Sequence, residues 1–167
     1  HGRLRVGEAM SPPLIKQVRA YQDSQKFTII DAPPGTSCPV IAAMKASDFV
    51  LLVTEPTPFG LHDLKLAVAA VQTLDIPMGL VINRSDLGDE RVREYAHQEE
   101  LPILMEIPFD RQIAEAYSSG KMLVDVMPQW KDRFLKLYDK IRHLSKTQTP
   151  NTKHERINRH QRQRRHR

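Results

Sequence analysis

The stretch Phe27-Thr28-Ile29-Ile30-Asp31-Ala32-Pro33-Pro34-Gly35-Thr36 constrains the chain most, because an apolar run of strand length ends in a carboxylate, two prolines and a glycine. A run apolar at nearly every position matches a parallel strand covered on both faces. The expectation is therefore a strand over residues 27–31 with Asp31 at its tip. A carboxylate placed there can hold a hydrated Mg²⁺, directly or through water. Gly35 lacks a Cβ, so its backbone N–H can come close to an anion. Pro39 suits the first turn of a helix over residues 39–46. The alternative is a tight Pro-Pro-Gly turn that Asp31 merely caps.

The same alternation continues downstream. Apolar runs at residues 49–54, 79–83 and 103–107 are followed by helical patterns at 61–74, 90–100 and 111–119. Strands alternating with helices in this way imply an α/β fold, a parallel sheet flanked by helices and joined by crossovers. Further helices are expected over residues 13–25 and 129–144, and residues 2–6 alternate as a short strand would. Open parallel sheets gather ligands at the carboxyl ends of their strands. Asp31, Glu55, Asn83 and the segment Pro108, Phe109 and Asp110 are thus expected on one rim. The Asn83 amide both donates and accepts, which suits the N6 and N7 edge of adenine; a turn asparagine fits the spacing equally. Arg84 follows and can lie over the base, whereas Phe109 alone reads as a core residue.

Charge divides the chain into two parts. Residues 146–167 hold eight Lys and Arg against the single acid Glu155, leaving residues 1–145 with 17 basic and 19 acidic residues of the chain's 25 and 20. The basic excess belongs to the tail, which has almost no apolar residue and is expected to be disordered. It can attract nucleic acid phosphates, although no aromatic interleaves its arginines to stack bases. His154, His160 and His166 lack the spacing of a zinc site. The folded expectation is one domain over residues 1–145. No apolar window reaches the length of a membrane span, no secretory signal opens the sequence, and one cysteine excludes an internal disulfide. The reading is cytoplasmic.

Taken in order, four runs resemble the MinD/ParA/Mrp superfamily of P-loop ATPases, most of all the branch with an inserted ferredoxin-type iron–sulfur domain. They are Asp31 to Pro39, Asp48 to Leu64, Val81-Ile82-Asn83-Arg84, and Ile107-Pro108-Phe109-Asp110 with Ile113 to Gly120. The resemblance spans residues 2–144 and implies a SIMIBI-type P-loop NTPase fold. It also implies ATP and Mg²⁺ as cofactors, Asp31 placing Mg²⁺ and Gly35 sensing the terminal phosphate. Asn83, Arg84, Pro108, Phe109 and Asp110 then hold adenine, and Glu55 and Asp63 face the partner of a homodimer. A structural alternative has Pro56 and Pro58 stiffening the loop and Asp63 supporting the first turn of the next helix.

Such ATPases need a glycine-rich loop ending in Gly-Lys-Ser/Thr, which is missing here. The Gly120-Lys121 pair continues with Met122 and reads as a helix C-terminal cap. The sequence opens on His1, so the expectation is that the first strand, the phosphate loop and any 4Fe-4S insert lie upstream. This part alone would then be inactive. Cys38 sits near a helix N-terminus that favours a thiolate, and a cousin in the superfamily, the nitrogenase iron protein, carries a cluster ligand at a similar offset. The default for a lone cysteine is a small buried hydrophobe.

Trp130, Phe134, Leu137, Ile141 and Leu144 recur at helical spacing. That stripe fits packing on the sheet better than a membrane surface, because Asp132 and Asp139 share the polar side. The leading expectation is ATP binding and hydrolysis acting as a dimerisation and conformational switch, coupled to an iron–sulfur or electron-transfer partner. The alternatives are a nonhydrolytic scaffold or nucleic-acid-binding module using the tail, and an amide ligase of the cobyrinic-acid synthase type.

Overall fold

Three apolar runs pair as a parallel sheet in the order β1 (Val50–Thr54), β2 (Met78–Asn83) and β3 (Ile103–Ile107). The computed structural model describes residues 20, 23, 26–45 and 47–147. The elements expected at residues 2–6 and, apart from residues 20 and 23, at 13–25, together with the tail from residue 148 on, lie outside the described residues. Among those described, helix α1 (Cys38–Met44) precedes β1, α2 (Pro58–Leu74) joins β1 to β2, and α3 (Arg91–Gln98) joins β2 to β3. The chain divides into two units, His1–Pro108 with the sheet and Phe109–Arg167 with the remaining helices.

In the first unit, alternate strand positions decide the core. Leu52, Leu80 and Ile82 cluster with Val40 and Met44 of α1, Leu64, Val68 and Val71 of α2, and Val92 and Ala96 of α3. A stripe at i, i+4 and i+7 on α2 is what a helix covering a sheet requires. On alternate positions, Val81 is buried and Val53 is 64% exposed. Thr54 pairs across from Ile82, and Asn83 across from Ile107, so the three strands end near one level.

The strand expected over residues 27–31 does not form. The segment has no regular structure, and Phe27 and Ile29 are 55% and 82% exposed. A strand apolar on both faces persists only with partners along its edges and covers over its faces, and none pairs with this run among the described residues. Asp31 therefore lies on an exposed irregular segment and not at a strand tip. Elsewhere the boundaries shift by a few residues: α2 begins at Pro58, three positions earlier than the apolar period indicates, because Thr57 caps it through Oγ1.

In the second unit, α4 (Arg111–Ser118) is followed by the short α5 (Leu123–Val126) and by α6 (Gln129–Thr147). Gly120 closes α4 at φ +65°, with its N–H on the Tyr117 carbonyl and the Lys121 N–H on that of Ala116. That is the helix cap the sequence indicated. On α6, Trp130 and Leu137 are buried, and the Arg133 guanidinium lies 4.2 Å from the Trp130 ring. Among the described residues, no helix is long and apolar enough to cross a membrane.

Candidate functional site

The carboxyl end of β1 leads into Glu55, and β2 ends at Asn83 with Arg84 next in the turn. Their side chains meet. The Asn83 amide donates through Nδ2 to Glu55 Oε1 at 3.4 Å, and Arg84 Nε lies 3.5 Å from the same oxygen. Glu55 and Arg84 are partly open, with side chains 38% and 53% exposed. Arg84 adopts φ 49°, an uncommon conformation for a residue with a side chain. The turn is pinned on both sides, by Ser85 N–H on the Ile107 carbonyl at 2.9 Å and by Leu87 N–H on that of Arg84 at 2.9 Å.

The loops carrying these residues are clamped together. Pro56 is fully buried, and a Cβ on Gly88, whose φ is +109°, would strike the Pro56 carbonyl oxygen. A Cβ on Gly60 would likewise strike the Glu55 carbonyl oxygen. Thr54 is buried and donates through Oγ1 to the Gly60 carbonyl at 2.9 Å. Glu55 thus leaves the sheet on a backbone that has little room to move.

Arg93 braces the same turn from α3. Its guanidinium donates to both carboxylate oxygens of Glu106 at 3.1 and 2.8 Å, to Glu90 Oε1 at 2.8 Å and to the Ser85 carbonyl at 2.8 Å. A bidentate, charge-assisted pair of this kind is strong. The Arg93 hydrogen bonds hold the Glu106 carboxyl below its ordinary value, and Glu106 raises Arg93 in turn. Neither residue was singled out from sequence. The available signal was a charged residue, Glu106, inside the apolar run of β3.

The remaining expected residues fall elsewhere. Pro108 follows directly on β3, beside the end of β2. In the second unit, Asp110 caps α4, its Oδ1 accepting from Gln112 N–H at 2.8 Å, and Phe109 is 48% exposed. Asp63 is exposed within α2 but beyond its first turn, so it does not support the helix start. Gly35 takes φ +89° with open space around it. Cys38 is exposed at the first position of α1 and is not a buried hydrophobe.

No family model matches the chain. A protein of Methanocaldococcus jannaschii described as uncharacterised is 33% identical over 122 residues, 72% of this chain and 42% of its own length. An iron–sulfur cluster carrier protein of Aquifex aeolicus is 30% identical over 133 residues, 68% of this chain and 36% of its own. The chain is similar to iron–sulfur cluster carriers. A homologue of the cytosolic Fe-S cluster assembly factor Nubp2 in Anopheles gambiae adds 28% identity over 127 residues, 64% of this chain and 48% of its own. The chain spans less than half the length of each of these relatives.

A four-iron cluster takes four thiolates, and this sequence holds one cysteine. The residues present therefore do not build a cluster site within a single copy. Among the described residues, no group of three or more His, Cys, Asp and Glu is arranged to hold a metal ion. A single exposed carboxylate such as Asp31 fits a Mg²⁺ that keeps most of its waters and is held chiefly by phosphates.

Proposed function

We propose that this chain supplies the nucleobase side of an ATP site, in a protein that binds and hydrolyses ATP as a dimerisation and conformational switch in iron–sulfur cluster handling. The observation that carries the reading is the meeting of Glu55, Asn83 and Arg84 at the carboxyl ends of adjacent parallel strands. Ligands of open α/β sheets collect there. The names of the Aquifex aeolicus and Anopheles gambiae relatives favour cluster handling as the process.

In this reading the Asn83 amide meets the adenine edge, Arg84 lies over the base, and Pro108 follows β3 beside them. Gly35 donates its N–H to the terminal phosphate, and the Asp31 carboxylate holds Mg²⁺ through water. When bound, that ion neutralises phosphate charge while the protein positions the attacking water in line. A glycine-rich loop with its lysine, carried elsewhere in the protein, completes the phosphate cradle. Glu55 and Asp63 contact the second copy, and the assembled protein works in the cytoplasm.

The test is ATP hydrolysis by the protein that includes the phosphate loop. Asp31→Asn is expected to lower kcat by about a hundredfold, by loss of metal placement. Asn83→Ala is expected to raise KM for ATP by about tenfold with kcat little changed. Hydrolysis indifferent to both substitutions would remove the proposal.

A further inference from the structure

We infer that Glu55 sets the base selectivity of this rim by fixing which edge of the Asn83 amide faces the ligand. The inference rests on the nucleotide reading above and deepens it. An ionised carboxylate only accepts hydrogen bonds, while a side-chain amide has a donating edge and an accepting one. With Glu55 Oε1 at 3.4 Å, the Asn83 edge turned toward it is the Nδ2 edge. Oδ1 then points the other way. The amide meets an incoming base with an acceptor, which pairs with the N6 amino group of adenine and opposes O6 of guanine.

An asparagine without such a neighbour can turn its amide over and offer Nδ2 to O6 instead. Three features keep Glu55 in control. Arg84 Nε approaches the same Oε1 at 3.5 Å, so two donor groups converge on that oxygen and hold the carboxylate in place. The backbone beneath is held, since Pro56 is fully buried and neither Gly60 nor Gly88 has space for a Cβ beside Glu55 and Pro56. Arg84 sits at φ 49° in a turn anchored to β3, so the amide and its neighbour leave β2 in a fixed relation. Glu55 is thus a positioning residue for Asn83, and its effect on the choice of base runs through that amide.

The protein that includes the phosphate loop, unaltered and as Glu55→Gln, is titrated with MgATP and MgGTP, and the Asn83 side-chain amide signals are followed by NMR. Glutamine both donates and accepts, so either amide orientation becomes acceptable. The unaltered protein is expected to favour ATP by about tenfold or more. Glu55→Gln is expected to reduce that ratio severalfold, with GTP gaining affinity, and to shift the Asn83 amide protons without nucleotide. In an Asn83→Ala background, Glu55→Gln is expected to leave the ratio unchanged, as coupling through one amide requires. An unchanged ratio in Glu55→Gln, or an equal loss for both nucleotides, overturns the role of Glu55 while nucleotide binding stands. Failure of the unaltered protein, phosphate loop included, to bind either nucleotide overturns both readings, even if the amide signals move.

Discussion

Arg93 braces the rim from α3. One guanidinium ties the turn after β2, the start of α3 and the carboxyl-terminal part of β3, through Ser85, Glu90 and Glu106. Because Arg93 holds the Glu106 carboxyl below its ordinary value, the unfolded chain binds the proton more readily than the folded one. The contribution is therefore complete above the ordinary glutamate range and is lost as pH falls through the depressed folded value. Glu106 is 38% exposed, so solvent moderates the effect. Glu106→Gln is expected to cost about 1–2 kcal/mol at neutral pH and to flatten the fall in stability below about pH 5. Urea unfolding midpoints taken across pH check this, and an unchanged acid slope counts against it. Lys65 over the Tyr95 ring at 5.4 Å is a weaker link of similar kind between α2 and α3. The Asp89 carboxyl is lowered by hydrogen bonds from Arg91, but both are open to solvent and carry little stability.

Between elements, glycine positions decide whether the rim loops can meet. Gly88 combines φ +109° with a path against the Pro56 carbonyl, whereas Gly120 at φ +65° has open space around it. Alanine at residue 120 meets only the backbone penalty, about 1 kcal/mol. At residue 88 it must also push two backbones apart, and the expected cost is roughly 2–4 kcal/mol. Thermal or urea unfolding of Gly88→Ala and Gly120→Ala gives the contrast directly; equal losses would mean the loops are not in contact. Helix starts follow the same local logic. Thr57 caps α2 by accepting from Gly60 N–H at 3.0 Å, while Ser37 makes no such bond at the start of α1. The cap, not the apolar stripe, sets where α2 begins, which is why an apolar period alone placed that start too late.

Across the whole molecule, charge is segregated by sequence position. The acidic balance of residues 1–145 and the basic tail from Lys146 onward predict two kinds of binding. Removing residues 146–167 is expected to abolish salt-sensitive retention on a polyanion such as heparin and to leave nucleotide affinity within about twofold. Retention by the shortened chain at low salt would place the polyanion contact in the remaining residues. The sequence by itself determined what local physics controls. Continuous apolar runs marked β1, β2 and β3, proline and glycine marked helix entry and exit, and Asn83 and Glu55 stood at strand ends where ligands collect. What only the tertiary structure decided depends on neighbours distant in the chain. Residues 27–31 read as a strand, yet a strand is a pairing, and no described segment pairs with that run. Arg93 and Glu106 gave no motif because their bond is a contact across 13 residues, between a helix and a strand. The junction of Glu55 with Asn83 spans 28 residues and exists because β1 and β2 lie side by side in register. Periodicity along a chain specifies elements, but the register between elements brings their side chains within bonding distance.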